Sequence, residues 1–97
     1  MLGGHSQARE ADEDEVAMFV GLKAAIEAQA NEQYSQFDVV CCTSQVVAGT
    51  NFWVKFRTNN GFVHVKIFRP LPHTQQPASV VAVHTGQTEE SPFNHWW

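Results

Sequence analysis

The chain has 97 residues, 43% of them hydrophobic and 11% aromatic, and a formal net charge of −4 from six basic and ten acidic residues. That is one small domain, long enough to bury roughly 60–65% of its unfolded surface in a modest core and too short for a two-domain enzyme with a cleft between halves. The acidic balance excludes the usual nucleic-acid binder or anionic-membrane binder, which is basic, and no apolar run approaches bilayer length.

The first residues, Met1 to Gln7, contain neither a basic stretch nor an apolar run of signal-peptide length, so the expected location is the cytoplasm, without processing. Cysteine usage agrees. Cys41 and Cys42 are adjacent, and neighbours on a strand point to opposite faces, which suits no mutual disulfide. The fold must hold by packing.

Residues 1–11 are mostly small or polar, with Leu2 apolar, and read as a flexible arm. Asp12-Glu13-Asp14-Glu15 then marks a helix start. Asp12 can cap, Glu15 stands three positions on as in a capping box, and the acidic cluster suits the positive end of the helix dipole. Val16, Phe19, Leu22, Ile26 and Ala30 recur at helical spacing. They predict one amphipathic helix over 12–31 whose stripe faces the core.

Beyond the helix the period changes to two. Phe37 to Gln45, Phe52 to Thr58, Phe62 to Phe68 and Ser79 to Thr85 read as strands. Asn60-Gly61 is a two-residue hairpin signal of the type in which both central residues take positive φ. Centring the turn there pairs Thr58 with Val63, Phe56 with Val65 and Val54 with Ile67, on one apolar face. The opposite face carries Trp53, Lys55, Arg57, His64, Lys66 and Phe68, and a solvated His64 is expected on it. Alternation also pairs Val40 with Cys42, and Val39 with Cys41, in facing. The expected class is α+β, an antiparallel sheet packed on one helix. The tail ending in Trp96-Trp97 is expected to dock on the sheet, because two tryptophans are costly to leave in water.

Ser44 to Asn51 stands apart. Gly49 permits positive φ and Asn51 suits a turn, but consecutive Val46 and Val47 cannot both face the core. A β-branched apolar tip loses little entropy on ordering and suits insertion into another protein's groove. Gln45-Val46-Val47-Ala48-Gly49 is the signature of the cystatins, and the whole chain resembles the stefins, or type 1 cystatins. The resemblance runs through Gly3-Gly4, the long helix, the Gln45–Gly49 motif, Thr50-Asn51 before an aromatic strand, Phe62-Val63-His64, and Leu71-Pro72-His73.

That resemblance implies the cystatin fold, an antiparallel sheet of about five strands wrapped around one long helix, with the short first strand supplied by the arm. It implies inhibition of papain-like cysteine proteases of the cathepsin type, reversible and non-covalent. The wedge would comprise Gly3 and Gly4 in the arm, Gln45, Val46, Val47, Ala48 and Gly49 in one hairpin, and Leu71, Pro72 and His73 in a second turn. Spacing to Gln45 favours Gly3 as the key arm glycine, with Gly4 next. It further implies activity as a monomer, and a domain-swapped dimer in which the Gln45–Gly49 loop straightens and the wedge is lost. The tail from Gly86 to Trp97 departs from the charged, tyrosine-containing ending usual in that family.

Other chemistries fare poorly. His5, His64, His73, His84 and His95 show no i, i+4 helical spacing and no Cys-x-x-Cys accompanies them, so no metal and no cofactor is expected. A nucleophilic cysteine needs a basic neighbour or a helix N-terminus, and Cys41 and Cys42 lie mid-strand, so no enzyme is expected. The competing functional reading is a cystatin-fold interaction module that inhibits nothing, since fold alone does not fix function.

Overall fold

A computed structural model describes residues 7–93. Two helical segments, α1 (Glu13–Val20) and α2 (Lys23–Ala30), precede four strands, β1 (Phe37–Val47), β2 (Gly49–Thr58), β3 (Gly61–Arg69) and β4 (Ser79–Gln87). The strands pair in chain order as an antiparallel meander. A short 3₁₀ turn, Pro72–Thr74, joins β3 to β4.

The helix starts as the acidic cluster predicts. Asp12 Oδ1 accepts from the Glu15 N–H at 2.8 Å, and Glu15 Oε1 accepts from the Asp12 N–H at 3.0 Å, which completes the capping box. Asn31 ends it in the left-handed conformation at φ +55. The expectation of one continuous helix is corrected at Gly21-Leu22. There the ladder tightens to an i→i−3 bond, Leu22 N–H to Phe19 O at 3.1 Å, before resuming from Leu22 O to Ile26. Gly21, a poor helix former, stands at the break. Phe19 and Ile26 on either side are fully buried, and Leu22 and Ala30 pack on the same core. Val16 instead lines an open groove with Ala17 and Val20, while Met18 reaches the core.

One face of the sheet closes on these helices. Phe52, Val54, Phe56, Val63, Val65 and Ile67 are at most 1% exposed. Tyr34, Phe37 and Phe56 stack at 5.7 and 4.2 Å, and Phe19 meets Phe52 edge-on at 5.1 Å. At ~1.5–3 kcal/mol for each large side chain removed from water, this face is the main source of stability.

Three sequence expectations about the sheet are corrected. First, the β2–β3 register pairs Thr58 with Gly61, Phe56 with Val63 and Val54 with Val65, so the turn is Asn59-Asn60. Neither asparagine has positive φ; only Gly61 does, at +99. Thr58 Oγ1 accepts from the Asn60 N–H and donates to Gly61 O, closing the turn from within. The shift is two residues, so every side chain keeps its predicted face. Second, Val40 is an extra residue in β1. The register steps from Val39↔Phe56 to Cys41↔Lys55, and this bulge puts Val39 and Cys42, not Val40 and Cys42, against the core. Third, of the expected arm strand, the described residues contain a single antiparallel bridge, Arg9↔Cys42; the sheet itself has four strands.

The outer face differs most from expectation. Trp53 is 1% exposed, His64 1%, Thr43 3% and Lys55 6%. The segment after β4 lies over Lys55 and His64. Lys55 Nζ donates to Ser91 O at 3.1 Å and also to Glu89 O, and Phe93 lies against the His64 ring at 4.7 Å. Thr88 and Ser91 bond to each other, Thr88 N–H to Ser91 Oγ at 2.8 Å and Ser91 N–H to Thr88 O at 3.2 Å, folding the segment back. Residues 89–93 thus lie on the sheet, while Trp96 and Trp97, on which the expected docking rested, lie outside the described residues. His64 is therefore not solvated. Burial, then the Lys55 and His84 charges, pull its pKa down to about 4, and its Nε2 makes no hydrogen bond among the described residues.

Candidate functional site

β1 and β2 stay paired to the tip of their hairpin, through Gln45↔Asn51, Val46↔Thr50 and Val47↔Gly49. Asn51 Nδ2 donates to Gln45 Oε1 at 3.2 Å across this ladder. Ala48 forms the apex. Val46 is 60% exposed and Val47 42%, so two β-branched side chains stand in water on a backbone that the ladder already orders.

Gly49 is buried beneath them at φ +123, and a Cβ there would come within 2.6 Å of Arg69 O and 2.7 Å of the Phe68 ring. Both conformation and space demand glycine. Phe68 and Arg69 therefore seat the hairpin tip, a role sequence reading missed. The available signal was positional: once β2 and β3 pair, Thr50 must face Arg69, and the end of β3 lies beside Gly49.

The same register brings the second loop to this end of the sheet, because β3 runs out at Arg69 beside Thr50 and continues into Pro70-Leu71-Pro72-His73. Leu71 is 38% exposed, and Pro72 and His73 are exposed too. Thr74 holds the loop, its N–H and Oγ1 both donating to Leu71 O, at 3.0 and 2.8 Å, and Gln75 closes it at φ +57. Gly3 and Gly4 lie outside the described residues. What is described is the approach to them. Arg9 and Cys42 exchange two backbone hydrogen bonds of 2.9 Å in an antiparallel bridge, so the chain read backward from Arg9 heads along β1 toward the tip.

Neither thiol has the environment of a nucleophile. Burial raises the Cys42 pKa to about 11, and burial raises that of Cys41 despite the opposing Lys55 charge. Among the described residues no three His, Cys, Asp or Glu side chains gather where a metal could sit, and no helix is long and apolar enough to cross a membrane.

Val46, Val47 and Leu71 thus stand exposed on two ordered loops at one end of the sheet. The chain belongs to the cystatin family: the model for the cystatin domain matches residues 3–92, and the relatives place it among the cystatins and stefins, which are not enzymes. It is 32% identical over 91 residues to cystatin-A1 of Sus scrofa, covering 93% of this chain and 88% of that one. Leukocyte cysteine proteinase inhibitor 1 of the same species is 30% identical over an equal span, again 93% of this chain and 88% of the relative. Stefin-3 of Mus musculus is 41% identical over 70 residues, 71% of this chain and 68% of that protein.

Proposed function

We propose that this chain is a reversible, tight-binding, non-covalent inhibitor of papain-like cysteine proteases of the cathepsin type. Its wedge is the arm around Gly3 and Gly4, the Gln45–Gly49 hairpin and the Leu71-Pro72-His73 loop. The observation that carries this reading is the hairpin tip, with Val46 and Val47 exposed on a paired backbone whose base, Gly49, is fitted against Phe68 and Arg69. Preorganisation of this kind lowers the entropy lost on docking. Each valine buried in a protease cleft adds ~1.5–3 kcal/mol.

Neither Cys41 nor Cys42 takes part. Inhibition is competitive, and the active species is the monomer. Exchange of the helix and β1 between two chains would straighten the Gln45–Gly49 turn and remove the tip.

Titration of papain activity with the purified chain tests this. The wild type should inhibit, and Val47→Asp should weaken inhibition by orders of magnitude while remaining folded. A folded wild type that leaves papain fully active would instead favour a cystatin-fold interaction module.

A further inference from the structure

The junction between arm and helix holds an ion pair that the wedge loops do not use. Arg9 Nη1 and Nη2 donate to Glu15 Oε1 and Oε2, both at 2.7 Å, in a fork-to-fork pair. The Glu15 side chain is 11% exposed and that of Arg9 38%. Glu15 is shared, since its Oε1 also receives the Asp12 N–H of the capping box. Arg9 is shared as well, through its two backbone bonds to the fully buried Cys42. One carboxylate thus joins the start of the helix to the only described stretch of the arm that pairs with the sheet.

A single β-bridge with no neighbouring pair among the described residues is a weak attachment. Here the bidentate guanidinium contact fixes the same residue from its side-chain end, so backbone and side chain of Arg9 must be released together. Resting on the inhibitory reading above, we infer that the Arg9–Glu15 pair is a clamp that aims the arm along β1 toward the wedge, and that both are positioning residues for arm-dependent protease binding. Neither need touch the protease. With the clamp closed, the chain at Arg9 is held antiparallel to β1, in the direction of the tip. With it open, that direction is lost, and residues 9–11 must be reordered on docking.

The test combines Arg9→Gln and Glu15→Gln, each in the full chain and in a chain lacking residues 1–6, with dissociation rates from papain and amide hydrogen exchange as readouts. Glu15→Gln keeps an oxygen that can accept from the Asp12 N–H, so the helix cap survives and only the charged fork is lost. In the full chain either substitution should speed dissociation about three- to tenfold, the usual place for an affinity change of this kind. In the truncated chain the same substitutions should change nothing. The Arg9 and Cys42 amides should exchange faster, with those of Val54 and Val65 unaltered.

A general loss of structure would instead raise dissociation equally in both backgrounds, and that result overturns the clamp. So does an unchanged rate in the full chain, or unchanged exchange at Arg9 and Cys42. A wild-type chain that does not inhibit papain would overturn the inhibitory reading and this role together, whereas active but substitution-insensitive protein overturns the clamp alone.

Discussion

Both faces of the sheet hold side chains removed from water, and they are removed by different means. On the inner face the helices cover aliphatic and aromatic side chains, Phe52, Val54, Phe56, Val63, Val65 and Ile67, which ask nothing but contact. On the outer face a six-residue segment, 88–93, covers Lys55 and His64, so polar groups are removed from water and must be satisfied one at a time. Lys55 is satisfied, by two carbonyls of that segment. His64 remains neutral, and among the described residues its Nε2 makes no hydrogen bond. Burial alone does not say what a face contributes; apolar burial drives folding, while polar burial makes stability conditional.

The comparison breaks first at the inner face. Phe56→Ala should cost about 3–5 kcal/mol, because the ring is fully buried and stacked on Phe37. Urea unfolding would show it as a lowered midpoint, and a loss under 1 kcal/mol would mean that the inner face is not the main core.

The outer face should show itself through pH. The His64 pKa falls from 6.5 to about 4 on folding, so the unfolded chain takes up a proton that the folded chain refuses. Stability is then full above pH 6.5 and declines as pH falls toward 4, by at most about 3 kcal/mol. His64→Leu should flatten the profile across that window. The Glu15 carboxyl is held below its usual range, chiefly by its hydrogen bonds from Arg9. Its contribution is present above about pH 4.5 and is lost only as pH falls further, so the two groups act in largely separate windows. A His64→Leu profile as steep as the wild type between pH 6.5 and 4 would contradict the assignment.

Lys55→Met keeps the buried stem and removes the donor that holds Glu89 O and Ser91 O. Hydrogen bonds to charged groups contribute about 1.5–3 kcal/mol, and limited proteolysis should then cut faster within 88–93 than in the wild type. The smallest effect belongs to neither face. Val47→Asp, at an exposed tip, should change stability by no more than about 0.5 kcal/mol, even as it weakens protease inhibition by orders of magnitude. A large shift in its unfolding midpoint would mean that the tip is part of the fold and not a free docking surface.

The capping box, the helix end at Asn31, the four strands, and which side chains share a face in the β2–β3 hairpin were all legible in the chain. Each depends on neighbours within a few residues, or on a period of two that survives the slip at Asn59-Asn60. The Gln45–Gly49 segment was legible for a similar reason, since two consecutive valines cannot both turn inward.

Other features required the assembled sheet. The bulge at Val40 reverses the parity of β1, because an extra residue cannot be seen in one strand without its partner. Gly49 needs Phe68 and Arg69, which are near only when β2 and β3 pair. Arg9 and Glu15 look like one more charge pair until the bridge to Cys42 ties one of them to the sheet. The polarity of Lys55 and His64 argued for water, and that inference failed because a segment 24–38 residues further along the chain lies over them. Local pattern reports the side on which a residue stands. What finally covers that side depends on contacts between distant parts of the chain, and those exist only in the folded molecule.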